Sequence, residues 1–286
     1  MLDTYGLSQL PHKVKDLPVL PQAVLEVLQV LRNDNLSAEH CIQLIEKDPA
    51  LAARTLRLAN SAFYGAPGRV ARIADAVSML GLRTVSGVLA AAALTQAFPA
   101  SACAGFDFAA YWRHGLAVAM SARSLASHCG LDPEQAFLAG LMHDIGQLVL
   151  AAHFPAAGNA VQALMTSTDV PRVRAEQTLL GQDHCQVGAL LAVHWRFPAP
   201  IVEAIAQHHA PPPAAASAPA ALDLTGLVHA CDAVAHALDL AGLAEEAVPE
   251  IDLSVWTRLR LDEARAMRLF ASVEGGVRDM CAALSL

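Results

Sequence analysis

Lysine is almost missing from this chain. Only Lys13, Lys15 and Lys47 occur in 286 residues, and the sixteen Arg form no stripe. With 27 acidic residues the formal net charge is −8. That balance excludes the basic face with which proteins displace counterions from a phosphate backbone, so no nucleic-acid partner is expected. Aromatic residues are also scarce, at 5%, whereas 55% of the chain is hydrophobic and rich in Ala. This favours close-packed helices, and no strand-like alternation of apolar and polar residues competes with them. The six Cys (Cys41, Cys103, Cys129, Cys185, Cys231, Cys281) form no CxxC pair and lie in apolar or helical-looking stretches. They read as small core residues of a reducing compartment, which argues against structural zinc on thiolates. The first residues, MLDTYGLSQLPHK, lack a basic segment leading into an apolar one, and no uncharged apolar run reaches membrane-spanning length. A cytoplasmic protein without membrane contact is expected.

Turn and cap signals divide the chain into helices. Pro18 and Pro21 open one that runs to about Leu31, and Ser37 precedes the next. Asp48-Pro49 reads as an N-cap followed by proline at the first helical position. The helix after it ends at Asn60-Ser61, where Asn60 is expected to satisfy loop amides and Phe63 to pack between lobes. Ile73 to Leu80 and Leu82 to Phe98 form two more, separated by Gly81. The second half reads as helices at about 107–128, 133–153, 157–166, 171–180, 184–194, 198–209, 221–240 and 262–284. Trp195-Arg196-Phe197-Pro198 reads as a helix-end plug, and the stretch from Pro211 to Ala221 as a connecting loop.

What the chain does have is histidine beside carboxylate. His114, His143-Asp144, His184, His208-His209 and Asp232 lie on separate helical segments, 23 to 40 residues apart. Those steps are long enough for one helix to end and another to return, so the side chains can converge. Chance alone gives about 0.7 His-Asp and about 0.5 His-His pairs in such a composition, so neither dipeptide carries weight alone. Context does: His143-Asp144 sits in AFLAGLMHDIGQLVLAAHF, where a buried carboxylate needs a strong partner such as a metal ion. His229 and His236 receive no role.

LPVLPQAVLEVLQVL, EKDPALAARTLRLANSAFYG, ADAVSMLGLRTV, AGLMHDIGQLVL and GQDHCQVGALLAVHWRFPAPIVEAIAQHH occur in that order. Over residues 14 to 240 the chain resembles the HDOD domain, a bacterial signalling module related to HD phosphohydrolases. The resemblance implies an all-α, two-lobed fold with an N-terminal lobe at 14–100, an HD-like helical bundle at 101–240, and a helical tail at 241–286 packing on the bundle. It also implies a metal centre. His114 would be the first ligand, His143-Asp144 the name-giving pair with Asp144 bridging two ions, and Asp232 the terminal aspartate. His184, His208 and His209 would match the extra histidines of the binuclear HD-GYP branch. Imidazole and carboxylate donors suit Fe, Mn, Zn or Ni, as one ion or two.

Three departures from the HD-GYP pattern separate two functions. Gln147 stands where a phosphate-pairing lysine is expected, Ala110 where an acidic residue would precede the first histidine, and Ala210 to Pro213 where the GYP element would follow His208-His209. Arg113, Arg123, Arg172, Arg174 and Arg196 are then the cations left for a phosphate, and Arg113 reads as a solvated or ion-paired surface residue. The expectation is a bacterial regulatory module acting through unidentified signalling proteins, with homo-oligomers compatible. The competing expectation is a metal-dependent phosphohydrolase or phosphodiesterase acting on a nucleotide or other phosphoester; the three departures argue against cyclic di-GMP as its substrate.

Overall fold

The computed structural model describes residues 38–62, 64, 68–98, 106–168, 170–212, 222–242, 249 and 252–286. The helix expected from Pro18, the packing of Phe63, Cys103 and most of the loop after Pro212 lie outside these residues. The described residues contain helices and no strand. A first group comprises α1 (Ala38–Lys47), α2 (Pro49–Ala59), α3 (Ile73–Leu80) and α4 (Leu82–Ala97), packed on one another. A second comprises α5 (Phe108–Ala126), α6 (Pro133–Met142), α7 (Ile145–His153), α8 (Pro155–Thr168), α9 (Arg172–Leu180), α10 (His184–His194), α11 (Ala199–Gln207) and α12 (Leu224–Ala237). The tail supplies α13 (Leu253–Leu259) and α14 (Glu263–Leu284).

Aspartate starts many of these helices. Asp48, Asp107, Asp132, Asp183, Asp223, Asp252 and Asp262 each accept backbone N–H bonds as N-caps. Each such cap contributes roughly 1 kcal/mol, so much of the acidic excess serves helix starts. Asp144 occupies the same position before α7 and caps nothing. Its carboxylate faces the interior.

α5 is the central helix, packed on α6, α12 and α14. Its face is buried from Ala110 to Ala126 almost without interruption, and Trp112, Leu116, Phe137, Leu138 and Leu141 fill the space around it. α14 lies against α5 and also reaches α2 and α4. Arg57 of α2 donates to the carbonyl of Ala282 (2.9 Å) and the hydroxyl of Ser285 (2.9 Å), satisfying groups that the end of α14 leaves open. The plug at 195–198 forms as expected: Trp195 and Phe197 are buried, and Trp195 meets Phe98 edge-on at 6.3 Å. Asn60 also behaves as expected, bonding the main chain of Val70 through both N–H and C=O. Arg113 is ion-paired as expected, with Asp107 at 4.0 Å, and also donates from Nε to Ala241 O at 2.9 Å, tying α5 to the segment after α12.

One apolar stretch differs from its sequence reading. The helix expected over 133–153 is two helices, broken at His143-Asp144. Asp144 leaves the helical region at ψ 11°, which turns both side chains toward one interior point. Pro133–His153 has the length and composition to cross a membrane, but 83% of its most apolar window is buried inside the protein.

Candidate metal centre

Two close helix crossings bring the candidate residues together. Gly140 of α6 lies against the backbone of Ala119 on α5, where an added Cβ would come within 2.7 Å of its Cα. Gly146 of α7 lies against α10, where a Cβ would overlap the carbonyl of His184 and sit 2.8 Å from the nitrogen of Gly188. With side chains at these points the helices could not approach so closely. The first crossing places His114 beside His143, and the second places Asp144 beside His184.

All seven candidates meet in one buried cluster. His114 Nε2 lies 3.2 Å from His143 Nε2, 3.0 Å from Asp232 Oδ1 and 3.9 Å from Asp144 Oδ2. His143 Nε2 lies 3.3 Å from Asp144 Oδ2 and 3.6 Å from Asp232 Oδ1. The other oxygen of Asp144 faces the remaining histidines: Oδ1 is 3.1 Å from His184 Nε2 and 3.5 Å from His208 Nε2. His209 Nε2 is 3.2 Å from His184 Nε2. Asp144 thus stands between two groups of imidazoles, one at each carboxylate oxygen.

The outer nitrogens fix which way the rings face. His143 Nδ1–H donates to Gly140 O (2.7 Å), His208 Nδ1–H to Ile205 O (3.0 Å), and His184 Nδ1–H to Glu176 Oε2 (2.7 Å). Each of these rings therefore presents Nε2 to the centre, as metal-ligating histidines with an outer acceptor do. Glu176, buried on α9, also accepts the main-chain N–H of His184 at 2.8 Å. It was not legible as a site residue, because nothing in its local sequence links it to a histidine eight residues later. His229 Nδ1–H donates to His208 O at 2.6 Å and its Nε2 accepts the Asp252 N–H at 3.0 Å, joining the cluster to the start of α13. His236, also unassigned from sequence, places Nε2 3.3 Å from Asp232 Oδ1. Its spacing of four from Asp232 on one helix was the available signal.

The clustered imidazoles and carboxylates shift one another's ionisation. Burial pushes the His143 imidazole toward neutrality, but Asp144 and Asp232 outweigh it and raise the pKa to about 10. His208 is likewise lowered by burial and raised by Cys185 and Asp144, to about 9. His184 is raised well above its ordinary value: burial opposes, while Cys185, Glu176 and Asp144 prevail. His209 is lowered to about 2 by burial and by the positive charge of His208 and His184. Burial raises Asp144 and Asp232, but the surrounding imidazoles hold both well below the usual carboxylate range. Burial, aided by Asp144, holds the Tyr111 phenol neutral.

Several central atoms nevertheless lack hydrogen bonds. Asp144 Oδ1, His208 Nε2, Asp232 Oδ2 and Tyr111 OH are buried without a partner in hydrogen-bonding geometry. Buried polar atoms left this way are costly unless something else satisfies them. Convergent imidazole nitrogens and carboxylate oxygens fit divalent ions. Groups able to hold one are His114 with His143 and Asp144; His184 with Cys185, His208 and His209; and His114 with Asp232 and His236.

The HDOD domain model matches residues 17–211, more than half of the sequence. The chain belongs to the HDOD domain family. A structure from Shewanella amazonensis SB2B, described as a "Putative phosphohydrolase", resembles this HDOD protein with a TM-score of 0.72 and 30% identity, covering 97% of this chain and 98% of that one. One from Marinobacter aquaeolei VT8, described as a "Putative signal transduction protein", gives 0.75 and 27%, covering 100% and 62%. An uncharacterized protein of Treponema pallidum (strain Nichols) is 26% identical over 204 residues, which is 71% of this chain and 39% of the relative. The HDOD chain therefore spans about two fifths of the length of that curated relative.

Proposed function

We propose that this HDOD protein is a regulatory module that acts through protein–protein contacts, with divalent ions tying its histidine-bearing helices together. Two ions are assigned: His114, His143, Asp144 and Asp232 would hold the first, and Asp144, His184, His208 and His209 the second. When bound, such ions supply folding free energy and Lewis acidity.

The observation that carries the reading is a sealed donor cluster with little to hold a phosphate. Six of the seven donors are buried, and His209 is the most exposed, with 27% of its side chain accessible against 11% for Asp144. Gln147 offers an amide where a phosphate would need a cation. Arg113 is engaged with Ala241 O, Arg172 with Gln162, and Arg123 with the ring of Phe137. On the partner side, α10 carries His184 at its inner start and leaves Leu190 and Val193 on the outside, 40% and 61% exposed. The description of the Marinobacter relative agrees with a signalling role.

The test is elemental mass spectrometry on protein purified without chelator, beside a His143→Ala/Asp144→Ala double variant and a screen with bis(p-nitrophenyl) phosphate. The expected result is Fe, Mn, Zn or Ni lost in the variant, with no turnover by either protein. Turnover that disappears in the variant would overturn the regulatory reading and select a metal-dependent phosphohydrolase. That second reading draws on the two-sided use of Asp144 and on the description of the Shewanella relative.

A further inference from the structure

His236 lies one helical turn after Asp232 on α12, so the two side chains share a face. Asp232 Oδ1 is approached by three imidazole nitrogens: His114 Nε2 at 3.0 Å, His236 Nε2 at 3.3 Å and His143 Nε2 at 3.6 Å. The rings of His114 and His236 stand 4.4 Å apart, tilted by 41°. Only 10% of the His236 side chain is exposed.

Three nitrogens around one oxygen are a crowded arrangement for hydrogen bonding and an ordinary one for coordination. Donors about 2.1 Å from one ion lie about 3.0 Å apart across an octahedral edge and about 3.4 Å across a tetrahedral one. The three spacings around Asp232 Oδ1 bracket those values. One ring nitrogen each of His114 and His236 and a carboxylate oxygen of Asp232 also lie within 4.8 Å of one another.

We propose that His236 is an additional ligand of the first ion, entering on the Asp232 side. With His114, His143, Asp144 and Asp232 it makes five protein ligands. A catalytic ion keeps a position open for water or substrate, whereas a structural one is closed by protein. His236 would take up one such position, leaving fewer for water or substrate at the first ion. This inference rests on the metal reading given above.

The experiment loads metal-free protein with Co(II) and follows ions bound per chain, affinity by chelator competition, and the visible absorption of the ion. It compares wild type, His236→Ala and His236→Gln, with far-UV circular dichroism of the metal-free forms confirming that each folds. In both variants the expected result is at least about tenfold weaker binding of one ion and a changed absorption spectrum, with added imidazole restoring the wild-type spectrum of the Ala variant. The Gln variant separates two roles, since it can still donate a hydrogen bond to Asp232 but has no imidazole. Wild-type affinity and spectrum in His236→Gln would show His236 to be only a hydrogen-bond donor and would overturn the proposal. Unchanged behaviour in His236→Ala would do the same. Failure of the wild type itself to take up Co(II) would defeat the underlying metal reading, and is distinct from either result.

Discussion

Gly146→Ala is the sharpest test of how the fold builds the centre. The new Cβ would meet backbone only: it would overlap the His184 carbonyl oxygen, reach His184 C at 2.7 Å, and reach Gly188 N at 2.8 Å. Ordinary contact begins near 3.4 Å, so α7 and α10 must part by more than 0.7 Å at the crossing (3.4 − 2.7 for His184 C, and further for its oxygen). No rotamer change can absorb this, because none of the three atoms belongs to a side chain. Overpacking of this kind costs about 1–3 kcal/mol, and rigid backbone places this site at the upper end. For a chain of this size about 3 kcal/mol corresponds to a fall in Tm of roughly 6–12 °C. The same displacement lengthens the 3.1 Å approach of His184 Nε2 to Asp144 Oδ1, so binding of the second ion is expected to weaken more than that of the first. Calorimetric melting and metal titration of Gly146→Ala would measure both. Gly115→Ala is the control, since its Cβ would meet the Leu141 carbonyl at an ordinary 3.5 Å. A Gly146→Ala protein that melts within a degree of wild type and binds the same metal would refute the crossing as the cause of the site geometry.

Glu176→Ala removes the acceptor of both His184 Nδ1–H and His184 N–H. It is expected to weaken binding of the second ion by about 10- to 100-fold, read by chelator competition, and equal affinity in the variant would sink the role given to Glu176. Metal binding is expected to release protons at pH 7, because ions require the bare Nε2 of His143 and His208, whose pKa values lie near 10 and 9. Apparent affinity should then rise from pH 7 to pH 9; calorimetry in buffers of different ionisation enthalpy checks it, and no net proton release would contradict it. In the metal-free protein both pKa values are raised above the ordinary 6.5. Their stabilisation is therefore fully present below pH 6.5 and lost as pH rises through 9 to 10, an effect visible as a falling urea midpoint with chelator present. Arg57→Ala frees the end of α14 from α2 and should cost about 1 kcal/mol, with faster hydrogen exchange confined to the last turn of α14 as the readout.

Much of the helical framework was legible because its signals are local. Asp48-Pro49 announces a helix start, Gly81 separates two helices, and Trp195 to Pro198 closes another, each by rules that act over a few residues. The break at His143-Asp144 escaped the periodic pattern because both halves are buried nearly all round, so no polar face marks the change of direction. The short helix Leu253–Leu259 escaped for a related reason: seven residues are too few to show a period.

The sequence by itself determined the class of helices, the shortage of cations for a phosphate, and the seven residues named from their order and their likeness to a family. It could do so because hydrophobic spacing, capping chemistry and motif order are properties of the chain alone. Only the tertiary structure decided that Asp144 turns one oxygen to each group of imidazoles, that Glu176 accepts from the ring and main chain of His184, and that His236 and His229 join the cluster. Those facts depend on how closely α5 meets α6 and α7 meets α10, distances set by backbone contact at Gly140 and Gly146 between segments far apart in the chain.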